Sequence, residues 1–288
     1  MAKFLVFGAT GNVGSALGRR LVAGGHDVHG VTRGGDGEGK LAAAGISPIV
    51  GDIVNMPSLA DRLSGFDAAF LASADAPDQG RREIAAIDAL VAQNTPHLVK
   101  LSAQSAGLTP PVSFGVQHHA SENHLKASGV SYSILRPTFF QQSVLLMKDD
   151  IARKSAITAP MGKGKSAMVN VEDIAAVAAR CLTDRGHSGK VYTLTGPEPV
   201  GFADICAALS ELLGKKIKYV SPPAPIARLV MPFLTGMPRW QTSLIVDLMV
   251  AIRMGAQEAV TSDVETVTGK PPRSIQAFLT ENKAEFTG

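Results

Sequence analysis

A glycine-rich turn between an apolar run and a helix constrains the fold of this chain more than any other feature. The apolar run is Phe4–Phe7, and four consecutive apolar residues are typical of a strand buried on both faces of a sheet. Glycines follow at positions 8, 11 and 14, and leucine and valine then recur at helical spacing over 15–23. A strand, a turn and a helix in this order indicate the first unit of a parallel α/β sheet.

Strand and helix patterns continue to alternate along the first half of the chain. The predicted strands cover 28–32, 46–50, 67–72, 97–102 and 130–135, and the predicted helices cover 39–44, 57–64, 80–94 and 116–128. Crossover connections of this kind are right-handed and place helices on the faces of the sheet. The sequence therefore predicts an α/β fold with a Rossmann-type, doubly wound parallel sheet.

The second half of the chain is predicted to return to this sheet once and then to form a smaller, discontinuous cap. A strand over 167–171 and a helix over 172–184 have the pattern of one more βα unit. Prolines become frequent after about residue 190 and interrupt the helical patterns there. We therefore expect a dinucleotide-binding Rossmann domain, a cap segment, a return to the Rossmann sheet and a substrate-binding cap region, over residues 1–136, 137–165, 166–194 and 195–288.

Composition excludes several classes of protein. The chain has 288 residues, of which 45% are hydrophobic, so it can bury a sizeable core. Its net charge is +3 with scattered basic residues, which disfavours a nucleic-acid partner. Cys181 and Cys206 lie far apart, so neither a disulfide framework nor a metal site is predicted. The chain shows no signal peptide, and its apolar stretch 244–252 is too short to cross a membrane. We expect a cytoplasmic monomer or homodimer without a membrane partner.

The glycine turn has the spacing of a dinucleotide site. Gly8 permits the tight turn, Gly11 lets the backbone approach a pyrophosphate, and Gly14 allows close packing of helix on strand. The helix N-terminus then offers free N–H groups to the phosphates. The alternative is a glycine turn in an α/β domain that holds no cofactor. From this segment the predicted cofactor-binding residues are Gly8, Thr10, Gly11, Asn12, Val13 and Gly14.

The end of the second predicted strand favours NADP(H) over NAD(H). That strand ends in Val31-Thr32-Arg33, without the acidic residue that usually binds the ribose hydroxyls of NAD. Arg33 can bind a 2′-phosphate through charge-assisted hydrogen bonds. Asp36 and Glu38 lie further along and complicate this interpretation. Arg33 either binds the phosphate or is simply exposed.

Residues that follow the third and fourth predicted strands are further cofactor candidates. Asp52, with Ile53 beside it, follows the third strand. The carboxylate of Asp52 either accepts from the adenine amine or caps a turn. Ala72 and Ser73 end the fourth strand, where small side chains would face the cofactor.

The end of the fifth predicted strand offers candidates for the chemistry. Ser102 lies at the carboxyl end of that strand, the edge where ligands bind in open α/β sheets. It either contacts nicotinamide or substrate, or it caps the following loop. Gln104 is a weaker candidate of the same kind.

Together these motifs resemble the NmrA-like branch of the atypical short-chain dehydrogenase/reductases. The resemblance covers nearly the whole chain and depends on the order in which several short motifs occur. Besides the glycine turn, these motifs are Gly51-Asp52, Leu101-Ser102, His118-x-x-x-Glu122, Leu125-x-x-Ser128-Gly129, Leu135-Arg136-Pro137, Val171-x-Asp173-Ile174-Ala175, Leu194-Thr195-Gly196-Pro197 and Thr268-Gly269-Lys270-x-Pro272-Arg273. It implies NAD(P)H binding. The branch includes triphenylmethane reductases, a bacterial quinone oxidoreductase and redox-sensing regulators.

The chain departs from the ordinary members of that superfamily, which use Tyr-x-x-x-Lys for proton exchange. Four residues past its three tyrosines stand Arg136, Gly196 and Pro223, so the motif is absent. His118 and Glu122 stand near the corresponding place, one helical turn apart. A histidine beside a carboxylate can titrate near neutral pH and donate a proton. The alternative is that the pair only orders the helix.

Two functions fit these observations. The first is an NADPH-dependent reductase that transfers hydride to a small aromatic or quinone-like acceptor, with Phe139 and Phe140 lining the substrate pocket, as the resemblance implies. These two aromatics could equally belong to the core. The second is a non-catalytic NADP(H)-binding redox sensor that acts through a protein partner, since one fold can serve either role. The His118/Glu122 pair favours the enzyme.

Overall fold

The structure, a computed structural model, describes residues 1–108 and 113–287, with the backbone alone for 113 and 114. The chain divides into two compact units. The first comprises residues 1–107, 115–136 and 171–193, and the second comprises 137–170 and 194–287 among the described residues. The two units are discontinuous in sequence, because the chain leaves and re-enters the first unit around residues 137–170.

A seven-stranded sheet forms the centre of the first unit. Its spatial order is β3-β2-β1-β4-β5-β6-β8, and the register from β3 through β6 is parallel. The order reverses between β1 and β4, as in a doubly wound sheet. This confirms the predicted fold class. The strands are β1 Lys3–Val6, β2 Asp27–Thr32, β3 Ser47–Val50, β4 Ala68–Leu71, β5 His97–Leu101, β6 Ser131–Pro137 and β8 Lys190–Leu194.

Helices flank this sheet because their apolar faces need the buried strands to pack against. Phe4 to Phe7 are at most 1% exposed, which explains why the first strand is apolar without alternation. Helices α1 and α6 pack on one another, and Arg19 and Arg20 of α1 both reach Glu172 of α6. The helices of this unit are α1 Asn12–Ala23, α2 Asp36–Ala43, α3 Gln79–Ala92, α4 Ser113–Ala127 and α6 Val171–Thr183.

Two sequence predictions in this region are wrong. The predicted helix over 57–64 is replaced by two 3-10 segments, Ile53–Ser58 and Ala60–Arg62. Pro57 lies inside the first segment and disfavours the α conformation of the residue before it, and Asn55 has a non-helical backbone. The predicted strand over 167–171 is also absent. Val169 forms an isolated bridge with Phe140, and Ser166, just before the predicted strand, forms isolated bridges with Val200 and Gln257. The strand that joins the sheet after α6 is β8.

The second unit has its own core between short strands and helices. A two-stranded parallel sheet pairs β7, Ala156–Thr158, with β9, Lys218–Val220. Its core contains Val144, Ile157, Phe202, Leu209, Ile252 and Phe278. The helices of this unit are α5 Lys148–Lys154, α7 Phe202–Leu213, α8 Ala224–Thr235, α9 Arg239–Arg253, α10 Asp263–Thr268 and α11 Ile275–Glu281. Among the described residues, no helix combines the length and apolar character needed to cross a bilayer.

Candidate active site

The candidate site lies in the first unit, at the carboxyl edge of the parallel strands. Gly8 follows β1, Arg33 follows β2, Asp52 follows β3, Ala72 follows β4 and Ser102 follows β5. Because β1 to β6 run in one direction, their carboxyl ends meet at a single edge, where open α/β sheets bind ligands. The predicted residues of this unit are therefore brought to the same side of the sheet.

The glycine turn is closed by backbone hydrogen bonds and tolerates no larger residue at two positions. The N–H of Gly11 donates to the carbonyl of Gly8 at 2.9 Å. Gly8 has a φ of +70°, and a Cβ there would lie 2.9 Å from the carbonyl oxygen of Ala72. A Cβ on Gly14 would lie 2.2 Å from the carbonyl oxygen of Gly8. Gly8 therefore serves the turn and its approach to β4, while Gly14 serves the packing of α1 on the turn.

The N-terminus of α1 suits an anionic group. Thr10, Gly11 and Asn12 are exposed, whereas Val13 and Gly14 are buried. Gly11 is the N-cap, no side chain caps the helix, and its first turn holds no acidic residue. Uncapped N–H groups and the positive end of the helix dipole favour a phosphate. The residues present thus fit the pyrophosphate of a dinucleotide.

The end of β2 leaves Arg33 exposed beside the start of α2. The carboxylate of Glu38, an acidic group close to the predicted phosphate site, is bound within its own turn. One of its carboxylate oxygens accepts from the N–H of Gly35 at 3.2 Å, and this closes the turn before α2. Arg33 directly follows the last residue of β2, and its guanidinium is exposed there.

Asp52 caps a turn in this structure. Its carboxylate accepts from the N–H of Val54 at 3.0 Å, at the start of the 3-10 segment that includes Ile53. This contact is the second of the two roles that the sequence allowed for Asp52. Contact of Asp52 or Ile53 with adenine stays a prediction.

Two fully buried charged residues form an ion pair beside this edge, and the sequence interpretation missed both. Nζ of Lys100, on β5, lies 2.7 Å from a carboxylate oxygen of Glu83, on α3, and neither side chain is exposed. Hydroxyls of Ser73 and Ser121 also donate to Glu83, at 2.9 and 2.7 Å. Burial by itself would raise the pKa of Glu83, but Lys100 and these hydrogen bonds hold it below its ordinary value.

The signal for this ion pair was present in the sequence. Lys100 stands in the run His97-Leu98-Val99-Lys100-Leu101 of β5, and the strands of a parallel sheet are covered on both faces. A charged residue at such a position needs a buried partner. The partner itself could not be identified, because Glu83 lies on a different element.

His118, on α4, faces the ion pair. Its side chain is buried, and its Nδ1 atom lies 3.3 Å from Nζ of Lys100 and 3.8 Å from the carboxylate of Glu83. Burial and the Lys100 cation lower the pKa of His118 to about 4, against the opposing effect of Glu83 and Glu122. The expectation that a neighbouring carboxylate brings His118 to titrate near neutral pH is therefore wrong.

Glu122 has a different set of partners from the one predicted. Its carboxylate accepts from Ser102 at 2.6 Å and from the guanidinium of Arg136, whose Nε atom lies at 2.9 Å. Lys126 lies 3.3 Å away. Burial opposes the charged form, but the hydrogen bonds from Arg136 and Ser102 lower the pKa of Glu122 to about 2. The strong local bonds of Glu122 thus join α4 to β5 and β6, and its predicted role as the group that charges His118 is not supported by this geometry.

The other predicted residues lie on separate elements. Gln104 lies in a 3-10 turn after β5. Phe139, in the second unit, packs edge-to-face with Phe202 at a centroid distance of 6.4 Å and lies against the core of that unit. Phe140 is half-buried and precedes a 3-10 segment. Contact of these three residues with a substrate stays a prediction.

A scan against family models decides the family. Residues 8–185 match the family described as NAD(P)H-binding. The chain belongs to this family. The match begins at Gly8 and includes every predicted cofactor residue, and the inferred resemblance to the NmrA-like atypical short-chain dehydrogenase/reductases is confirmed.

Proteins similar to this NAD(P)H-binding chain include reductases. It is 29% identical over 282 residues to the NAD(P)H azoreductase of Xenophilus azovorans, and this match covers 98% of each chain. The structure of the Escherichia coli quinone oxidoreductase QOR2 complexed with NADPH has a TM-score of 0.87 at 22% identity and covers 98% of this chain and 99% of that one. The chain is an NAD(P)H-dependent oxidoreductase.

Two more solved structures share the fold. The Citrobacter sp. triphenylmethane reductase complexed with NADP(H) has a TM-score of 0.84 at 20% identity, and covers 97% of this chain and 99% of its own. The negative transcriptional regulator NmrA in complex with NADP has a TM-score of 0.77 at 17% identity, with 97% and 94% coverage. At these identities the likeness concerns the fold alone.

Proposed function

We propose that this oxidoreductase uses NADPH to reduce a small, flat, electron-poor acceptor such as a quinone or an azo dye. The names of the similar proteins support the class of acceptor, because azoreductase, quinone oxidoreductase and triphenylmethane reductase all name conjugated, electron-poor substrates. The absence of Tyr-x-x-x-Lys argues in the same direction, since carbonyl–alcohol exchange depends on that proton donor.

The observation that carries the proposal is a buried, neutral imidazole beside the carboxyl edge of the sheet. His118 is 7% exposed and lies next to β5 through Lys100. When bound, NADPH would supply hydride, and a quinone or an azo group that gains hydride develops negative charge on an oxygen or nitrogen atom. A preorganised N–H group stabilises such charge more effectively in a buried site than in water. In this proposal His118 donates to that atom.

The preference for NADPH is part of the same proposal. The exposed guanidinium of Arg33 follows β2, and Glu38 is engaged with the backbone of its own turn. An arginine at this position binds a 2′-phosphate in two hydrogen bonds, whereas the ribose of NADH offers it no anion.

Oxidation of NADPH against a panel of acceptors tests the proposal. The panel contains benzoquinones, naphthoquinones, azo dyes, triphenylmethane dyes and enones, with simple ketones as the contrasting class. We expect turnover with one or more of the planar acceptors and none with the ketones. Fastest turnover with a simple ketone would contradict the proposed chemistry. Binding of NADPH without reduction of any acceptor would favour the redox-sensor function instead. The Gly11→Val variant controls for oxidation that does not depend on the cofactor site.

A further inference from the structure

The buried ion pair does more than neutralise charge, because its lysine has three acceptors. Nζ of Lys100 lies 2.7 Å from the carboxylate of Glu83, 3.1 Å from the carbonyl of Leu101 and 3.3 Å from Nδ1 of His118. An ammonium group has three N–H donors and no lone pair. Each donor therefore has one acceptor, and Nδ1 of His118 accepts rather than donates.

The geometry points to Lys100 as the positioning residue that holds the ring proton of His118 on Nε2. A neutral imidazole carries one proton, and the hydrogen bond at one nitrogen decides where the proton resides. Since Nδ1 accepts from Lys100, Nε2 carries the N–H. The catalytic meaning of this assignment rests on the proposed function, because Nε2 is then the atom that donates to the acceptor.

Glu83 keeps Lys100 charged and in place. The carboxylate accepts from Lys100, Ser73 and Ser121, on β5, on the loop after β4 and on α4. With both side chains of the ion pair at zero exposure, separation of the charges is strongly unfavourable. The carboxylate of Glu83 lies 3.8 Å from Nδ1 of His118, beyond hydrogen-bond distance, so it does not compete with Lys100 for that atom.

The charged groups that face His118 come from three elements. Lys100 belongs to β5, Glu83 to α3 and Glu122 to α4 itself. Of these, Lys100 is the cation and lies 3.3 Å from Nδ1, and Glu83 lies 3.8 Å from the same atom. Removal of the lysine would leave Glu83 as the charged neighbour of Nδ1. The carboxylate would then accept from Nδ1–H, and the proton would move to the wrong nitrogen.

Nuclear magnetic resonance of the histidine rings tests this inference directly. The protein is labelled with ¹⁵N in its seven histidines, and the His118→Asn variant identifies the signals of His118. Long-range ¹H–¹⁵N correlations at pH 7 then report which nitrogen carries the proton. We expect Nε2–H with an unprotonated Nδ1 in the wild-type protein. A proton on Nδ1, or an even mixture of the two tautomers, would overturn the inference.

The Lys100→Met variant supplies the second arm. We expect the ring proton of His118 to move to Nδ1, or the ring to take up a second proton near neutral pH. An unchanged Nε2–H tautomer in this variant would show that Lys100 does not hold the proton there. If the unpaired Glu83 prevents folding, the double variant Lys100→Met/Glu83→Gln removes both charges together. In that protein we expect a mixture of tautomers, and a retained Nε2–H form would overturn the inference.

Kinetics separate a failure of this inference from a failure of the proposed function. If Lys100 acts through His118, the folded Lys100 variant should lose about 10²-fold in kcat, the loss typical of one misplaced hydrogen-bond donor, while its KM for NADPH stays unchanged. A wild-type Nε2–H tautomer together with full activity of His118→Ala would contradict the role of His118 in the reaction and leave the tautomer assignment intact. The reverse result, an inactive His118→Ala with the proton on Nδ1, would overturn the assignment alone.

Discussion

Nζ of Lys100 lies 3.3 Å from Nδ1 of His118, and both side chains are buried. The sequence paired His118 with Glu122 because the two residues are one helical turn apart. In the folded chain β5 brings a cation to the histidine, and Glu122 is bonded to Arg136 and Ser102. His118 is thus a neutral donor at physiological pH.

Replacement of His118 tests its role as a donor. His118→Ala should lower kcat for the best acceptor by about 10²-fold or more, because one preorganised hydrogen-bond donor at a developing charge contributes about 10² to 10³-fold. The affinity for NADPH should change little. Because the pKa of His118 is about 4, the wild-type rate should show no limb from this residue between pH 6 and 8.

His124→Ala is the matched control for that experiment. His124 lies on the same helix, but its side chain is partly exposed and contacts Asp88 at 2.6 Å. This variant should keep the wild-type rate. A loss of only a few-fold in His118→Ala would mean that the acceptor takes its proton from water and that His118 is structural.

Replacement of Arg33 tests the choice of cofactor. A hydrogen bond to a charged group contributes about 1.5–3 kcal/mol, so Arg33→Ala should weaken NADPH binding roughly 10- to 100-fold. Binding of NADH should barely change. Calorimetric titration of both cofactors measures the two losses. Arg185→Ala, an exposed arginine in the turn between α6 and β8, should affect neither cofactor, and equal losses for both cofactors in Arg33→Ala would contradict the phosphate contact.

Two glycines of the turn are expected to have different roles, Gly11 in the binding of NADPH and Gly14 in the stability of the fold. A Cβ on Gly11 would lie 3.2 Å from the carbonyl oxygen of Gly8, whereas one on Gly14 would lie 2.2 Å from the same atom. Gly11→Val should therefore abolish NADPH binding and keep the fold. Gly14→Ala should lower the free energy of unfolding by about 1–3 kcal/mol, because helix and turn must separate. Urea denaturation and cofactor titration of both variants check this. Wild-type NADPH affinity in Gly11→Val would place the cofactor elsewhere.

The pKa of His118 predicts how stability depends on pH. Its value falls from about 6.5 in the unfolded chain to about 4 in the folded one, so the unfolded state binds more protons between these values. The contribution to stability is present above pH 6.5 and is lost as pH falls towards 4. At pH 5 the loss should be about 2 kcal/mol.

Urea unfolding at pH 7.5 and pH 5 measures that loss against the His118→Asn variant. Asparagine keeps an acceptor for Lys100 and cannot titrate in this range. The variant should therefore lose about 2 kcal/mol less than the wild-type protein between the two pH values. Equal losses in the two proteins would mean that His118 does not take up a proton on unfolding.

Arg136 and Lys126 both contact Glu122, and we expect them to contribute unequally to the free energy of unfolding. Arg136→Met leaves a buried carboxylate without its main donor and should lower the free energy of unfolding by about 3–5 kcal/mol. Lys126→Met removes a more exposed partner at 3.3 Å and should lower it by less than about 1 kcal/mol. Chemical denaturation of both variants makes the comparison. Similar losses would show that Arg136 is not the main stabiliser of this carboxylate.

The sequence by itself determined the parallel sheet and the residues at its carboxyl edge. Local rules were sufficient there, because a buried strand, a glycine turn and a helix follow one another between Lys3 and Ala23. The sequence therefore predicted the places of Gly8, Gly11, Gly14 and Arg33 in the fold. The three glycines lie between β1 and the first turn of α1, and Arg33 follows β2. The same rules failed at 57–64, where 3-10 segments around Pro57 replace the predicted α-helix.

Only the tertiary structure decided the state of His118. Its charge depends on Lys100 and Glu83, which lie 18 and 35 positions away in sequence. Lys100 reaches His118 from strand β5, and Glu83 reaches it from helix α3. No periodicity encodes such a contact, because β5, α3 and α4 become neighbours only when the sheet has formed. The physical reason is that burial and one cation outweigh a carboxylate one helical turn away, and burial is a property of the folded chain.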